Sequence, residues 1–170
     1  GQESYANAKA TQALAVGYRS KALNEQSTAV GFNSKSTGFA SNAIGGSSLA
    51  EGEFSTAVGQ ESYANAKATQ ALAVGYKANA LNEQSTAVGF NSKSTGKASN
   101  AIGGSSLAEG EYSTAVGQEA HAKAGFDLAA GYKANASGGE SMAVGVKSKS
   151  TGTASNAIGW NANATAQNAT

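Results

Sequence analysis

One histidine, His121, and one aspartate, Asp127, stand in a chain rich in serine. With a serine they would make an acyl-transfer site, the imidazole taking the hydroxyl proton and the carboxylate orienting the ring. No serine sits in a nucleophile-elbow phrase, and none holds a repeating relation to His121. Metal chemistry lacks its ligands as well: the chain has no Cys, and His121 has no second His or acid pair at ligand spacing. A calcium-binding roll would need Asp in every turn, and this chain has one. Left-handed acyltransferase helices run on six-residue periods, which the spacing described below does not fit. An ice-binding face would need unbroken threonine, but Asn42 separates Thr28 from Thr56 and Leu72 interrupts again. Asn163-Ala-Thr165 and Asn168-Ala-Thr170 fit the Asn-glycosylation pattern at the rate that chance supplies in so Asn- and Thr-rich a chain. The residue types thus point away from an enzyme, with no catalytic residue, no cofactor and no metal expected.

Composition narrows the partners. The formal charge is +1, and lysines are spread singly without interleaved aromatics, so no nucleic-acid partner is expected. No run of 18 apolar residues occurs, so this segment is expected to make no membrane contact as a helix. No signal peptide is visible, and the only Met is Met142, as in a segment excised from something longer. Alanine carries most of the apolar share, and large aliphatic side chains are sparse, so a single globular core would be thin.

The order lies in repetition. STAVGFNSKSTG occurs at residues 27–38 and again at 85–96. Glycines closing each AVG-like phrase fall at 17, 31, 45, 59, 75, 89, 103, 117, 131, 145 and 159, a period of 14 with a step of 16 between Gly59 and Gly75. Residues 1–58 and 59–116 differ only at Arg19/Lys77, Ser20/Ala78, Lys21/Asn79, Phe39/Lys97 and Phe54/Tyr112. A third block spans 117–170. Such a period reads as a stack of equivalent units.

Within each unit small and variable residues alternate in two short runs, one ending in the glycine and one just after it. Period two reads as β-strand, and Gly with β-branched residues in every copy argues against helix. Two strands and two turns in 14 residues make one coil of a parallel β-solenoid, with coils about 4.8 Å apart and a rod of roughly 50 Å in all. The two extra residues of the longer units are expected in a turn. In STAVG the Ser, Ala and Gly face inward against small residues of the second strand; Thr and Val face outward. Val16, Val30, Ile44, Val58, Val74, Val88, Ile102, Val116, Val144 and Ile158 then form an outward ladder, with Ala130 as its gap. No charge occurs from three residues before the glycine to one after it. An uncharged apolar ladder is expected to meet another chain. Asp127 is the charge outlier, in the unit that also has Ala130, which reads as a degenerate coil.

These SxAVG and SxAIG units, in register along the whole chain, resemble the YadA-type head repeat of trimeric autotransporter adhesins. The resemblance implies one head domain over residues 1–170, an all-β left-handed parallel β-roll, and assembly as a homotrimer. It implies a place at the cell surface, projected from the bacterial outer membrane on a coiled-coil stalk with a membrane anchor. Neither stalk nor anchor is recognised here, since no heptads appear, and the tail from Trp160 reads as a further coil or an approach to a neck. The implied partner is host extracellular matrix, host cells or other bacteria. Collagen binding in that family goes with the fuller phrase NSVAIG and a later Ser. Ser41, Ala43, Ile44, Gly45 and Ser48 match it, whereas Ala40 and Asn42 depart from it, so general adhesion is the implied function. A rigid spacer that projects another binding domain is the alternative, and the near-identical blocks fit it.

Candidate sites follow from the columns. Asn42, Asn100 and Asn156 share one column and suit hydrogen bonds within or between chains, as structural or trimer-interface residues. Tyr18, Phe32, Tyr76, Phe90, Tyr132 and Trp160 follow the glycine and are read onto the ladder face. Phe39, Phe54 and Tyr112 fall in loops and are the candidate ligand contacts. Tyr5, Tyr63, Leu23 and Leu81 are secondary surface candidates.

Overall fold

The computed structural model describes residues 1–7, 11–65 and 67–170. Two compact units divide the chain, Gly1–Ser85 and Thr86–Thr170. Each is a stack of coils in which a three-residue strand, a turn, a two-residue strand and a second turn succeed one another.

In the first unit the longer strands Leu14–Val16, Thr28–Val30, Asn42–Ile44, Thr56–Val58 and Leu72–Val74 pair in parallel, each with the equivalent strand of the next coil. Tyr5–Ala6, Lys21–Ala22, Lys35–Ser36, Leu49–Ala50, Tyr63–Ala64 and Asn79–Ala80 form the second sheet in the same manner. The second unit repeats this, from Thr86–Val88 to Asn156–Ile158 and from Lys93–Ser94 to Asn163–Ala164. The expected parallel solenoid is therefore observed in both. The tail after Trp160 continues its stack, with Asn163–Ala164 paired to Lys149–Ser150. The longer coil has seven residues between Tyr63–Ala64 and Leu72–Val74, of which residue 66 lies outside the described residues, where the preceding coil has 51–55 between Leu49–Ala50 and Thr56–Val58. In the first coil the corresponding stretch includes residues 8–10, outside the described residues.

The core consists of alanine and serine. Away from the end coils the inward residues are fully buried, among them Ala29, Ala43 and Ala57 from one sheet and Ser36, Ala50 and Ala64 from the other. Only such small side chains let two sheets of one narrow coil approach each other, so the volume inside holds no Val, Leu or Phe. Buried hydroxyls need partners, and the turns supply them. Ser41 Oγ donates to Gly38 O at 2.7 Å, and Ser55 Oγ to Gly52 O at 2.6 Å. The same serine closes the turn through its N–H, as Ser55 N donates to Gly52 O at 3.2 Å.

Each turn also contains one non-glycine residue in the left-handed region. Asn33 and Ser47 hold φ of 53° and 54° in the turn after the closing glycine. Ala40 and Phe54 hold 49° and 55° in the other turn. A left-handed L-residue costs about 1 kcal/mol, and the inter-coil ladder offsets it: Asn33 N donates to Tyr18 O, and Phe54 N to Phe39 O, both at 2.8 Å.

Asp127 corrects the reading of a degenerate coil. Leu128–Ala130 pairs in register with Thr114–Val116 before it and Met142–Val144 after it. Asp127 occupies the column that Ser141 and Ser155 hold in later coils, and it is buried. Its Oδ2 accepts from Ala124 N at 2.8 Å; its Oδ1 accepts from Ser141 N at 3.0 Å and Ser141 Oγ at 2.8 Å. Ser55 and Ser155 bond within their own turns, to Gly52 O and Gly152 O, whereas this carboxylate also reaches the next coil.

A candidate adhesive surface and chain interface

The outward side of the longer strands carries two columns. In the first unit one column runs Val16, Val30, Ile44, Val58, Val74; beside it run Leu14, Thr28, Asn42, Thr56 and Leu72. In the second unit Val88, Ile102, Val116, Ala130, Val144 and Ile158 lie beside Thr86, Asn100, Thr114, Leu128, Met142 and Asn156. Period two places residues two apart on the same side of a strand, so each unit presents a face without a single charge. Val16 is 47% exposed and Ile44 40%. Leu14, Leu72, Leu128 and Met142 belong to this face but are missing from the sequence-derived ladder. The signal that would have found them is their position two residues before the ladder residue in each coil.

The Asn42, Asn100 and Asn156 side chains are half-buried on this face and have no hydrogen-bond partner among the described residues. The other sheet faces outward with Lys21, Lys35, Lys93 and Lys149 and with His121. The two outer faces of each unit differ sharply in charge.

Aromatic side chains stand in the turns. The glycine's φ, +130° at Gly45, ends the strand alternation. Tyr18, Phe32, Tyr76, Phe90, Tyr132 and Trp160 consequently sit in the turn that follows, rather than on the strand face where sequence alternation places them. Tyr18 and Phe32 stack at 5.4 Å between ring centroids. The Lys77 ammonium lies 5.1 Å from the centre of the Tyr76 ring, and its contacts with Tyr76 and Glu61 hold its pKa above the ordinary lysine range. Of the candidate ligand contacts, Phe39 and Phe54 meet edge to face at 5.4 Å. Tyr112, in the second unit, stacks on Phe126 at 5.2 Å. Sequence reading missed Phe126, which is 62% exposed. It stands five residues before its closing glycine, as Phe54 and Tyr112 do.

The catalytic-type residues do not converge. His121 Nε2 lies 2.8 Å from Glu109 Oε2, while Asp127 is taken up by Ala124 and Ser141. Among the described residues no group of His, Cys, Asp and Glu could hold a metal ion, and no helix is long and apolar enough to cross a membrane.

Comparison with known proteins decides the kinship. The family model described as the YadA head domain repeat matches residues 8–34, 36–62, 66–92, 94–120, 127–148 and 136–162. The chain belongs to the YadA head repeat family. This is a family of non-enzymatic adhesin domains. The crystal structure of the collagen-binding domain of the Yersinia adhesin YadA is similar in fold and sequence, with a TM-score of 0.64 and 33% identity. The match covers 74% of this chain and 68% of that one. No curated protein sequence matches. The closing glycine, the inward alanine and serine and the uncharged outer face recur within the residues that match the YadA head repeat.

Proposed function

We propose that this chain is the adhesive head of a trimeric surface adhesin. Three copies join through the uncharged faces of their longer strands, each coil winds left-handed, and the head projects from a bacterial outer membrane. One observation carries the assembly: a face with no charge, half-exposed Val and Ile, and amides that lack partners among the described residues. Membership of the YadA head repeat family and likeness to a collagen-binding domain support attachment to host extracellular matrix. Repetition along each chain and across three chains would multiply weak contacts into avidity.

Phe54 and Tyr112 offer the exposed aromatic surface for such contacts, and Phe126 joins Tyr112. Replacing Phe54 and Tyr112 by Ala is expected to leave the fold intact, because Ala40 and Ala98 hold the same turn position at φ 49° and 51°. Surface plasmon resonance of the chain over collagen, laminin and fibronectin should show saturable binding to at least one. The double variant should bind that surface about tenfold more weakly. A spacer, a reading that the near-identical blocks 1–58 and 59–116 fit as well as they fit a binding head, would give no saturable binding to any.

A further inference from the structure

An open cleft of about 230 Å³ lies across consecutive coils of the Gly1–Ser85 unit, on the side of the short strands. Arg19, Lys21 and Lys35 supply its charge, and Asn33, Ser47 and Leu49 also line it. Lys21 and Lys35 are direct partners on paired strands, whose backbones run about 4.8 Å apart. Like charges at such positions repel, and neither lysine has an acidic partner among the described residues. Two other basic residues of the stack are compensated: Lys77 meets Glu61 at 3.5 Å and Lys133 meets Glu119 at 3.3 Å. Arg19 gives its Nε to Glu3 Oε2 at 2.6 Å, and a guanidinium has four further N–H donors. The Asn33 amide and Ser47 hydroxyl have no partner among the described residues. The cleft therefore combines uncompensated cations with unused hydrogen-bonding groups.

Its sequence is also singular. Three of the five differences between the near-identical blocks are Arg19/Lys77, Ser20/Ala78 and Lys21/Asn79. The first block thus carries one more cation here than its duplicate, and it has Arg, which grips oxyanions with a planar fork that Lys lacks.

We propose that this cleft binds the sulfate groups of a sulfated polysaccharide. The cations are spread over successive coils of an open surface, which suits several anionic groups along a chain better than one enclosed ion. Sugar hydroxyls suit Asn33 and Ser47. No aromatic side chain lines the cleft, so it has no platform on which nucleobases would stack. The proposal names a ligand class for the adhesive reading and rests on that reading for its biological setting.

The test is fluorescence polarisation of a labelled heparin octasaccharide with the full chain. Lys21→Asn and Lys35→Asn are folding-compatible, since Asn79, Asn135 and Asn163 occupy the same column. Saturable, salt-sensitive binding is expected, about threefold weaker in K21N and about tenfold weaker in the double variant. K149N, in the other unit, should stay within about twofold of wild type by the same measure. Wild-type binding by the double variant would overturn the proposal, as would an equal loss in K149N. Inorganic sulfate binding as tightly as the octasaccharide would reduce the cleft to an adventitious ion only. Equal binding of single-stranded DNA would remove the polysaccharide assignment. Attachment to matrix proteins through Phe54 and Tyr112 is read separately, so either reading can fail while the other stands.

Discussion

Gly45→Ala is expected to cost about 3 kcal/mol or more of unfolding free energy, whereas Gly46→Ala, one residue on, should cost nothing. Gly45 has φ of +130°, and a Cβ built on it would lie 2.5 Å from the Gly59 carbonyl oxygen of the next coil. That oxygen belongs to backbone held in the stack, with Gly59 N donating to Ile44 O at 2.7 Å. A methyl group can be placed there only by parting two coils. Gly46 meets only the Gln60 Cγ at 3.8 Å. Removing its freedom in the unfolded chain should stabilise by about 0.5 kcal/mol. Urea unfolding of the two variants checks this, and equal midpoints would refute the close-approach explanation of the glycine column. The same contact explains why glycine recurs there: Gly31 would place a Cβ 2.5 Å from Gly45 O, and Gly103 from Gly117 O.

Asp127→Ala is expected to cost about 3 kcal/mol. The carboxylate accepts from Ala124 N, Ser141 N and Ser141 Oγ; Asp127 and Ser141 are buried and Ala124 is partly so. Alanine would strip three donors of their acceptor at once. Asp127→Ser should recover most of the loss, because the column already works with serine: Ser155 Oγ donates to Gly152 O at 2.6 Å. Ser113 offers an internal control. Its Oγ is buried with no partner, so Ser113→Ala should leave stability unchanged or raise it. Thermal melts of the three variants give the order S113A, D127S, D127A from most to least stable. D127A melting with wild type would show that the buried carboxylate links nothing.

Much of this fold is legible in the sequence because each coil repeats the same few physical demands. The closing glycine, the alanine two before it and the small residues after it mark a narrow coil with no room for side chains. The parallel pairing and the turn position of the longer coil's extra residues follow from the same alignment. What fails is local. Alternation carried past the glycine puts Tyr18 and Phe32 on the strand face, but φ near +130° at Gly17 and Gly31 ends that alternation. Asp127 looks out of place because sequence alone does not show a serine-lined core with donors to spare. The cleft at Lys21 and Lys35 is invisible to the repeat, since it depends on which residues of successive coils become neighbours and on which cations find no acid. Phe126 was legible in principle, standing in the column of Phe54 and Tyr112, and was hidden by the irregular look of its own coil.

The thin core bears directly on assembly. The described core contains no aliphatic side chain larger than alanine. Val16, Ile44, Ile102 and Ile158 remain 40% exposed or more, at about 25 cal/mol for each Å² that a partner could still cover. A second sheet cannot cover this face from within the same coil, because the narrow coil has none to offer. In the proposed assembly the cover comes from another chain, and the amides of Asn42, Asn100 and Asn156, unpartnered among the described residues, would then meet their counterparts and set the register.

The molar mass of the 170-residue chain in solution, by sedimentation equilibrium, tests this most directly. Three times the chain mass of 16.7 kDa is expected. Collapse toward a single chain is expected when Ile44 and Ile102 are both changed to Glu. A folded wild-type monomer of 16.7 kDa that stays stable with the uncharged face in water would contradict it.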